Sequence, residues 1–447
     1  MTIAVTEIIS TWASGLKYED IPSRTIACAK EQVVGIVAAM LAGSRTEECQ
    51  PLYKALREWG DREESTVVGA NMKTSMRNAG LVNSIVAQTL EWEDYLRSQH
   101  TGASTVPNAL AVGEAVNANG KEFLTALVAY IKSHLFTNSC PNHQIDAAVV
   151  AGKLLGLNSE QMMDALGISC FPPMTQCFAG WFSPTKGLIT GAPVHTGITG
   201  ACLAKAGFKG FRKIIEHPDG FSSAIFERYD LEEMVRDLGN DWRTDTHSPK
   251  LYPCCGWLDA LVDSALDIMR EHKVDWRDIS SIDVQSPTVT LLLNKPKDEL
   301  IEMIDRIAGT DYLTCVPLFF NSIYPLAVAI VDGELTPAQF TKERITDKKL
   351  HEFFDRIHFA VDPSLDVKEM QEGINSGGVK IRLKNGTEYS KFTDAMKGSY
   401  KNPIDIREKL EICTRHILGN QQRDEIYNAA CRIEQMDSIR DFTRLLL

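Results

Sequence analysis

Positive charge is scarce in this sequence. Its 447 residues carry 47 Lys and Arg against 59 Asp and Glu, a formal net charge of −12. That balance repels nucleic-acid phosphates and offers no basic stripe to an anionic membrane, so neither is expected as a partner. A long hydrophobic run is also missing. The longest apolar stretch near the N-terminus, Gly35 to Gly43, is far short of a membrane span. The opening segment has no positive stretch ahead of an apolar one and no cleavage-like site, which argues against a signal peptide. The eleven cysteines are scattered and odd in number. They read as reduced thiols, and the cytoplasm is the expected location.

Signature motifs are absent too. No G-x-G-x-x-G follows a strand pattern and no phosphate-binding G-x-x-x-x-G-K-[ST] occurs, so no nucleotide cofactor is expected. A G-x-S-x-G elbow and an H-E-x-x-H helix are likewise missing. His134, Cys140 and His143 are ligand-type residues, but no second pair at metal-site spacing accompanies them, and no metal is expected. Adjacent Cys254 and Cys255 read as core thiols rather than a redox pair.

What is present is an ordinary globular composition, 44% hydrophobic and 24% charged, on a chain too long for one core. As far as about residue 240, apolar residues recur at three- and four-residue spacing and Ala, Gly and Ser are frequent, a pattern of closely packed helices. Gly156 marks one helix end there, and Ser159 is placed to cap the next helix. Beyond residue 250, β-branched alternating segments appear, with Asn385-Gly386 as a hairpin turn. The tail turns helical again. The expectation is a mainly α protein: a large all-helical domain from 1–250 plus 400–447, a smaller α+β domain over 251–399, and the active site in the cleft between them.

Three constellations carry chemistry. Glu91, Glu93 and Asp94 close an apolar helix and lead to Arg97 and His100, so carboxylates, a guanidinium and an imidazole fall at a helix-to-loop transition. A histidine exchanges protons near neutral pH and a neighbouring carboxylate tunes it, although the same residues also suit a solvated helix end. Lys186 precedes a small-residue helix, where unpaired N–H groups and an ammonium suit an anion; a surface lysine near a cap is the plainer reading. Lys250 lies where the composition changes, close to Cys255, and Tyr324 is a polar-tipped residue on an apolar helix.

In their order and approximate spacing these segments resemble the MmgE/PrpD family. The pieces are NSIVAQTLEWEDYLRSQHTGAS, AAVVAGKLLGLNSEQMMDALGIS, SPTKGLITGAPVHTGITGACLAKAGFKGF, KLYPCC and NGTEYSKF with NPIDIREKL. The resemblance covers most of the chain. It implies an α-helical domain with a smaller α+β domain, a homodimer, no cofactor, and catalysis by His100, Lys186, Tyr324, Glu91 and Asp94. The mechanism expected from these residues has His100 as base or acid oriented by Glu91 or Asp94, Tyr324 as the opposing acid, and Lys186, Lys250 and Arg97 on substrate carboxylates. Dehydratase and decarboxylase members resemble one another in two histidines where this sequence has Thr137 and Cys255, and His143 is the residue that could stand in for the first. Those losses favour epimerisation of a small amino- or imino-dicarboxylate, iminodisuccinate-like. Dehydration or decarboxylation of a tricarboxylate, of the 2-methylcitrate or cis-aconitate type, is the alternative within enzymes. An inactive helical scaffold is the alternative outside them.

Overall fold

A computed structural model describes residues 3–97, 99–130, 142–174, 178–226, 229–310 and 314–447. Glycine and alanine decide how its first half packs. Helix α1, Ser23–Gly43, is apolar almost all round because it runs through the core, with buried residues along most of its length. It has the length and hydropathy of a membrane span, yet 78% of its most apolar stretch is buried inside the protein. Beside it lie α2, Met76–Gln88, and α3, Gly102–Val116, and α4, Asn142–Leu154, packs on α3 in turn. Helix α5, Ser159–Ser169, follows, and α6, Leu188–Lys205, packs against α2, α4 and α5. Three glycines of α6 meet these three neighbours one by one. A Cβ on Gly191 would overlap Leu81 and Ile85 of α2, one on Gly197 would overlap Ala147 of α4, and one on Gly200 would overlap Ser169 of α5.

The second half begins with a short strand and builds a sheet. Strand β1, Asp94–Leu96, pairs antiparallel with β2, His247–Pro249, in the register Asp94↔Pro249. Helix α7, Asp259–His272, covers a four-stranded sheet and packs against the mostly apolar α8, Ile323–Asp332. The sheet strands are β3, Ile279–Ser286, β4, Ile357–Val361, β5, Gly377–Leu383, and β6, Glu388–Thr393. Their spatial order is β4-β3-β5-β6, with β3 parallel to β4 and the other pairs antiparallel. β5 and β6 form the hairpin that Asn385-Gly386 signals, with Gly386 at a φ of 86°. The chain then returns: α9, Ile406–Thr414, and α10, Asn420–Cys431, pack on α1. Backbone bonds from Ile439 to Ala118 and from Gly69 to Leu446 tie the tail to the helical half. The fold is therefore mainly α, with a large helical part and a smaller α+β part, as the sequence pattern implies.

One local reading needs correction. Asn158, not Ser159, caps α5: its side chain accepts from Gln161 N while Gln161 reaches back, a reciprocal box that leaves Ser159 as the first helical residue.

The α4–α6 contact has no spare room, so Gly197→Ala is expected to lower unfolding stability by about 1–3 kcal/mol in denaturant titrations. Gly15→Ala, where nothing lies within 4 Å of the new Cβ, serves as the neutral control.

Candidate functional site

The site begins where α2 stops. After Gln88 the chain turns sharply, and Glu91 takes a φ of 51°, a left-handed conformation uncommon for a residue with a side chain. Such strain persists only where the surroundings enforce it. Two remote segments do so. Lys409 of α9 donates to Trp92 O at 2.6 Å and to Glu93 O at 2.8 Å, and Lys250 N donates to Glu93 O at 3.1 Å. Trp92 points into the core, and Glu91 and Glu93 converge on one cluster of charges.

That cluster is dense. One Glu91 oxygen is paired with Lys186 Nζ, and the other lies 3.3 Å from Lys250 Nζ. Glu93 Oε1 is 3.2 Å from Lys186 Nζ, 2.9 Å from His100 Nδ1 and 3.3 Å from Gln88 Nε2, while its Oε2 is 3.9 Å from Lys250 Nζ. Thr190 of α6 donates to Gln88 Oε1 at 3.2 Å, which fixes the amide. The two carboxylates and the two lysines are at most 4% exposed, whereas His100 keeps 18% of its side chain open. His100 is thus the member of the five that a small molecule entering from solvent meets. Its ring also lies 4.8 Å from that of Tyr95.

The electrostatics follow from burial and neighbours. Burial would raise Glu93, but Lys250 and then His100 overcome it and hold the carboxyl down at about 2. Burial and then the like charge of Lys250 push Lys186 well below its ordinary value, and its contacts with Glu91 and Glu93 stand against that shift. Burial keeps the Cys255 thiol protonated, pushed up to about 12, and its N–H donates to Phe319 O at 2.8 Å. The next ring, Phe320, lies 5.7 Å from Lys186 Nζ, so the α+β part closes one side of the cluster.

The candidates read from sequence divide accordingly. Glu91, His100, Lys186 and Lys250 are brought together, with Cys255 close by. Asp94 is not oriented toward His100. Its carboxylate accepts from Gly102 N at 3.1 Å and Gln32 Nε2 at 2.9 Å, with His247 Nε2 at 3.4 Å, so it caps the start of α3 beneath the loop. Glu93 holds His100 instead of Glu91 or Asp94. Tyr324 stands apart: its hydroxyl donates to Gln339 O at 2.5 Å and its ring packs on Phe340 and Phe354. Arg97 occupies the turn after β1 at a φ of 55°, pressed by Gly373, whose Cβ would come within 2.5 Å of the Arg97 backbone. It lies close enough to Arg243 to help lower that guanidinium to about 10, after burial. His143 sits on α4 against Ser104, and Thr137 lies outside the described residues. Among the described residues no three His, Cys, Asp or Glu side chains are grouped to hold a metal ion.

Glu93 is the partner that sequence reasoning passed over, and its place in the acidic run between Glu91 and Asp94 is the signal that pointed to it. Lys409 gave no such signal, being one lysine on a charged helix face more than 300 residues from the loop it holds.

Residues 7–234 match the MmgE/PrpD N-terminal domain and residues 252–433 match the MmgE/PrpD C-terminal domain. Among curated proteins, a cis-aconitate decarboxylase of Aspergillus terreus (strain NIH 2624 / FGSC A1156) is 25% identical, covering 99% of this chain and 96% of its own. The cis-aconitate decarboxylase-like protein oryM of Aspergillus oryzae (strain ATCC 42149 / RIB 40) is 22% identical, covering 99% of this chain and 97% of its own. With both halves matched in order over most of its length, the chain belongs to the MmgE/PrpD family.

Proposed function

We propose that this protein is a cofactor-independent enzyme that removes and returns a proton at the carbon next to a carboxylate of a small di- or tricarboxylate. The observation that carries the reading is the contact between His100 and Glu93, 2.9 Å long, at the one partly open edge of a buried charge cluster. A neutral His100 takes the proton, and the imidazolium that forms lies against a carboxylate that stays ionised. Lys186 and Lys250 face the substrate carboxylates and stabilise the enediolate-like charge as the proton leaves. Glu91 and Glu93 already share both ammoniums, so substrate anions bind by taking over part of those contacts.

Epimerisation of a small amino- or imino-dicarboxylate, iminodisuccinate-like, is the outcome we favour. It needs proton exchange at one carbon and no group to assist a leaving hydroxide or carbon dioxide. Cys255, held as a protonated thiol at the position where dehydratase and decarboxylase members resemble one another in carrying a histidine, supports that choice. Decarboxylation of a tricarboxylate is the second reading, favoured by the names of the relatives in Aspergillus.

Incubation with candidate di- and tricarboxylates in deuterated water, followed by proton NMR, tests the proposal. Solvent deuterium at the α-carbon with inverted configuration is expected. Formation of an alkene by loss of water sinks epimerisation in favour of a dehydratase, release of carbon dioxide moves the assignment to the second reading, and neither exchange nor product with any of these acids sinks the proposal. Glu93→Gln is expected to lower kcat by about 10²-fold or more. The same variant carries a stability signature. The folded-state value of Glu93 is depressed from 4.5 to about 2, so its contribution is present above pH 4.5 and lost as pH falls toward 2. Unfolding free energy of the wild type should therefore drop over that interval by roughly 3 kcal/mol more than that of Glu93→Gln.

A further inference from the structure

His143 is a buried ring with one nitrogen committed and one not. It lies on α4, 1% exposed, and its Nδ1 is 2.9 Å from Ser104 Oγ in the first turn of α3. Its Nε2 is buried and has no hydrogen-bond partner among the described residues. Leaving such an atom unpaired costs about 1–3 kcal/mol, and the ring lies close enough to His100 to feel its charge, so the site is where a partner for Nε2 is to be sought.

Ser104 decides which kind of partner. Its hydroxyl has one hydrogen and two acceptors in reach, His143 Nδ1 and Thr101 O, each at 2.9 Å. Thr101 O already takes the N–H groups of Ser104 and Thr105, at 3.1 and 2.9 Å, and the Thr105 hydroxyl at 3.0 Å. Three donors crowd its two lone pairs, so the Ser104 hydrogen goes to His143 Nδ1. The ring then carries its proton on Nε2, and the uncommitted atom is a donor. Burial, followed by the charge of His100, drives the imidazole down to about 3, so it stays uncharged under any physiological condition.

We infer that His143 Nε2–H is an uncharged hydrogen-bond donor for a substrate oxygen that becomes more negative during the reaction, and that Ser104 sets its tautomer. The recognised group is an anionic oxygen, a carboxylate or the enediolate formed from it. Thr101 directly follows His100, and Ser104 stands one helical turn on, so the proposed base and the hydroxyl that sets the donor's tautomer are carried by the two ends of one short segment. The assignment separates two roles that both histidines would otherwise share. His100 moves a proton, while His143 keeps its own and lends only the N–H dipole, which is the efficient way to stabilise developing charge where water is excluded. No step needs a proton to leave His143.

This inference rests on the proposed proton-transfer reading, and its test has a part that does not. In protein with 15N-labelled histidine at neutral pH, long-range 15N–1H correlation is expected to show the His143 ring as a neutral Nε2–H tautomer. Addition of succinate should move that proton downfield, and Ser104→Ala should erode the tautomer preference. An Nδ1–H tautomer, an imidazolium, or a ring indifferent to succinate overturns the inference even if α-carbon exchange proceeds. Conversely, an Nε2–H that responds to succinate in a protein without exchange activity supports the donor and counts against the function. In kinetics, His143→Leu should lower kcat by about 10²–10³-fold. His143→Gln, which restores an uncharged N–H, should recover activity to within about tenfold of wild type. Equal loss in both variants would mean a packing role only.

Discussion

Two carboxylates and two ammoniums have left water together in this protein, and the site depends on their staying paired. Removing ions from water costs several kcal/mol each, and the cost is offset only when contacts and hydrogen bonds satisfy the group as a whole. Here Glu91 touches both lysines, Glu93 touches both lysines and His100, and Gln88 fills a further position on Glu93. Loss of any one partner strands the others, a penalty of about 3–5 kcal/mol in comparable buried pairs. The cluster is thus as much a structural joint as a reaction centre. It links α2, the segment before α6, the strand pair β1–β2, and, through Phe320, the α+β part.

The scaffold around the cluster is built for close approach. Small residues on α6 bring three helices near enough for Lys186, just ahead of α6, to reach the end of α2. Pairing of β1 with β2 places Lys250 beside Glu93, with a backbone bond as well as a side-chain contact. Neither Lys186 nor Lys250 could be swapped for a shorter residue without opening a void that faces bare carboxylates.

How much of this was legible in the sequence follows the range of the interactions. Periodicity exposed the helical half, and Asn385-Gly386 exposed the hairpin, because both are written within a few residues. Asn158 against Ser159 shows the usual limit of one position at a helix start. His100, Lys186 and Lys250 could be picked out by type and by their surroundings in the chain. Their grouping could not: it depends on helix contacts and strand register with no local trace. Asp94 and Tyr324 look like site residues by chemistry, yet one caps α3 and the other satisfies a neighbouring carbonyl. Only the partner of a polar group, never its type, separates these cases.

The hold of Lys409 on the carbonyls of Trp92 and Glu93 also has a bearing on how the protein comes into being. During synthesis the Glu91–His100 loop leaves the ribosome long before α9 is made. Until α9 docks, the two carbonyls lack their ammonium, and nothing from that end of the chain enforces the left-handed turn at Glu91. A nascent or truncated chain can therefore form its helices early, but the turn that aims Glu91 and Glu93 gains this support only once α9 has been made and has docked, which ties the assembly of the charge cluster to a late stage of folding.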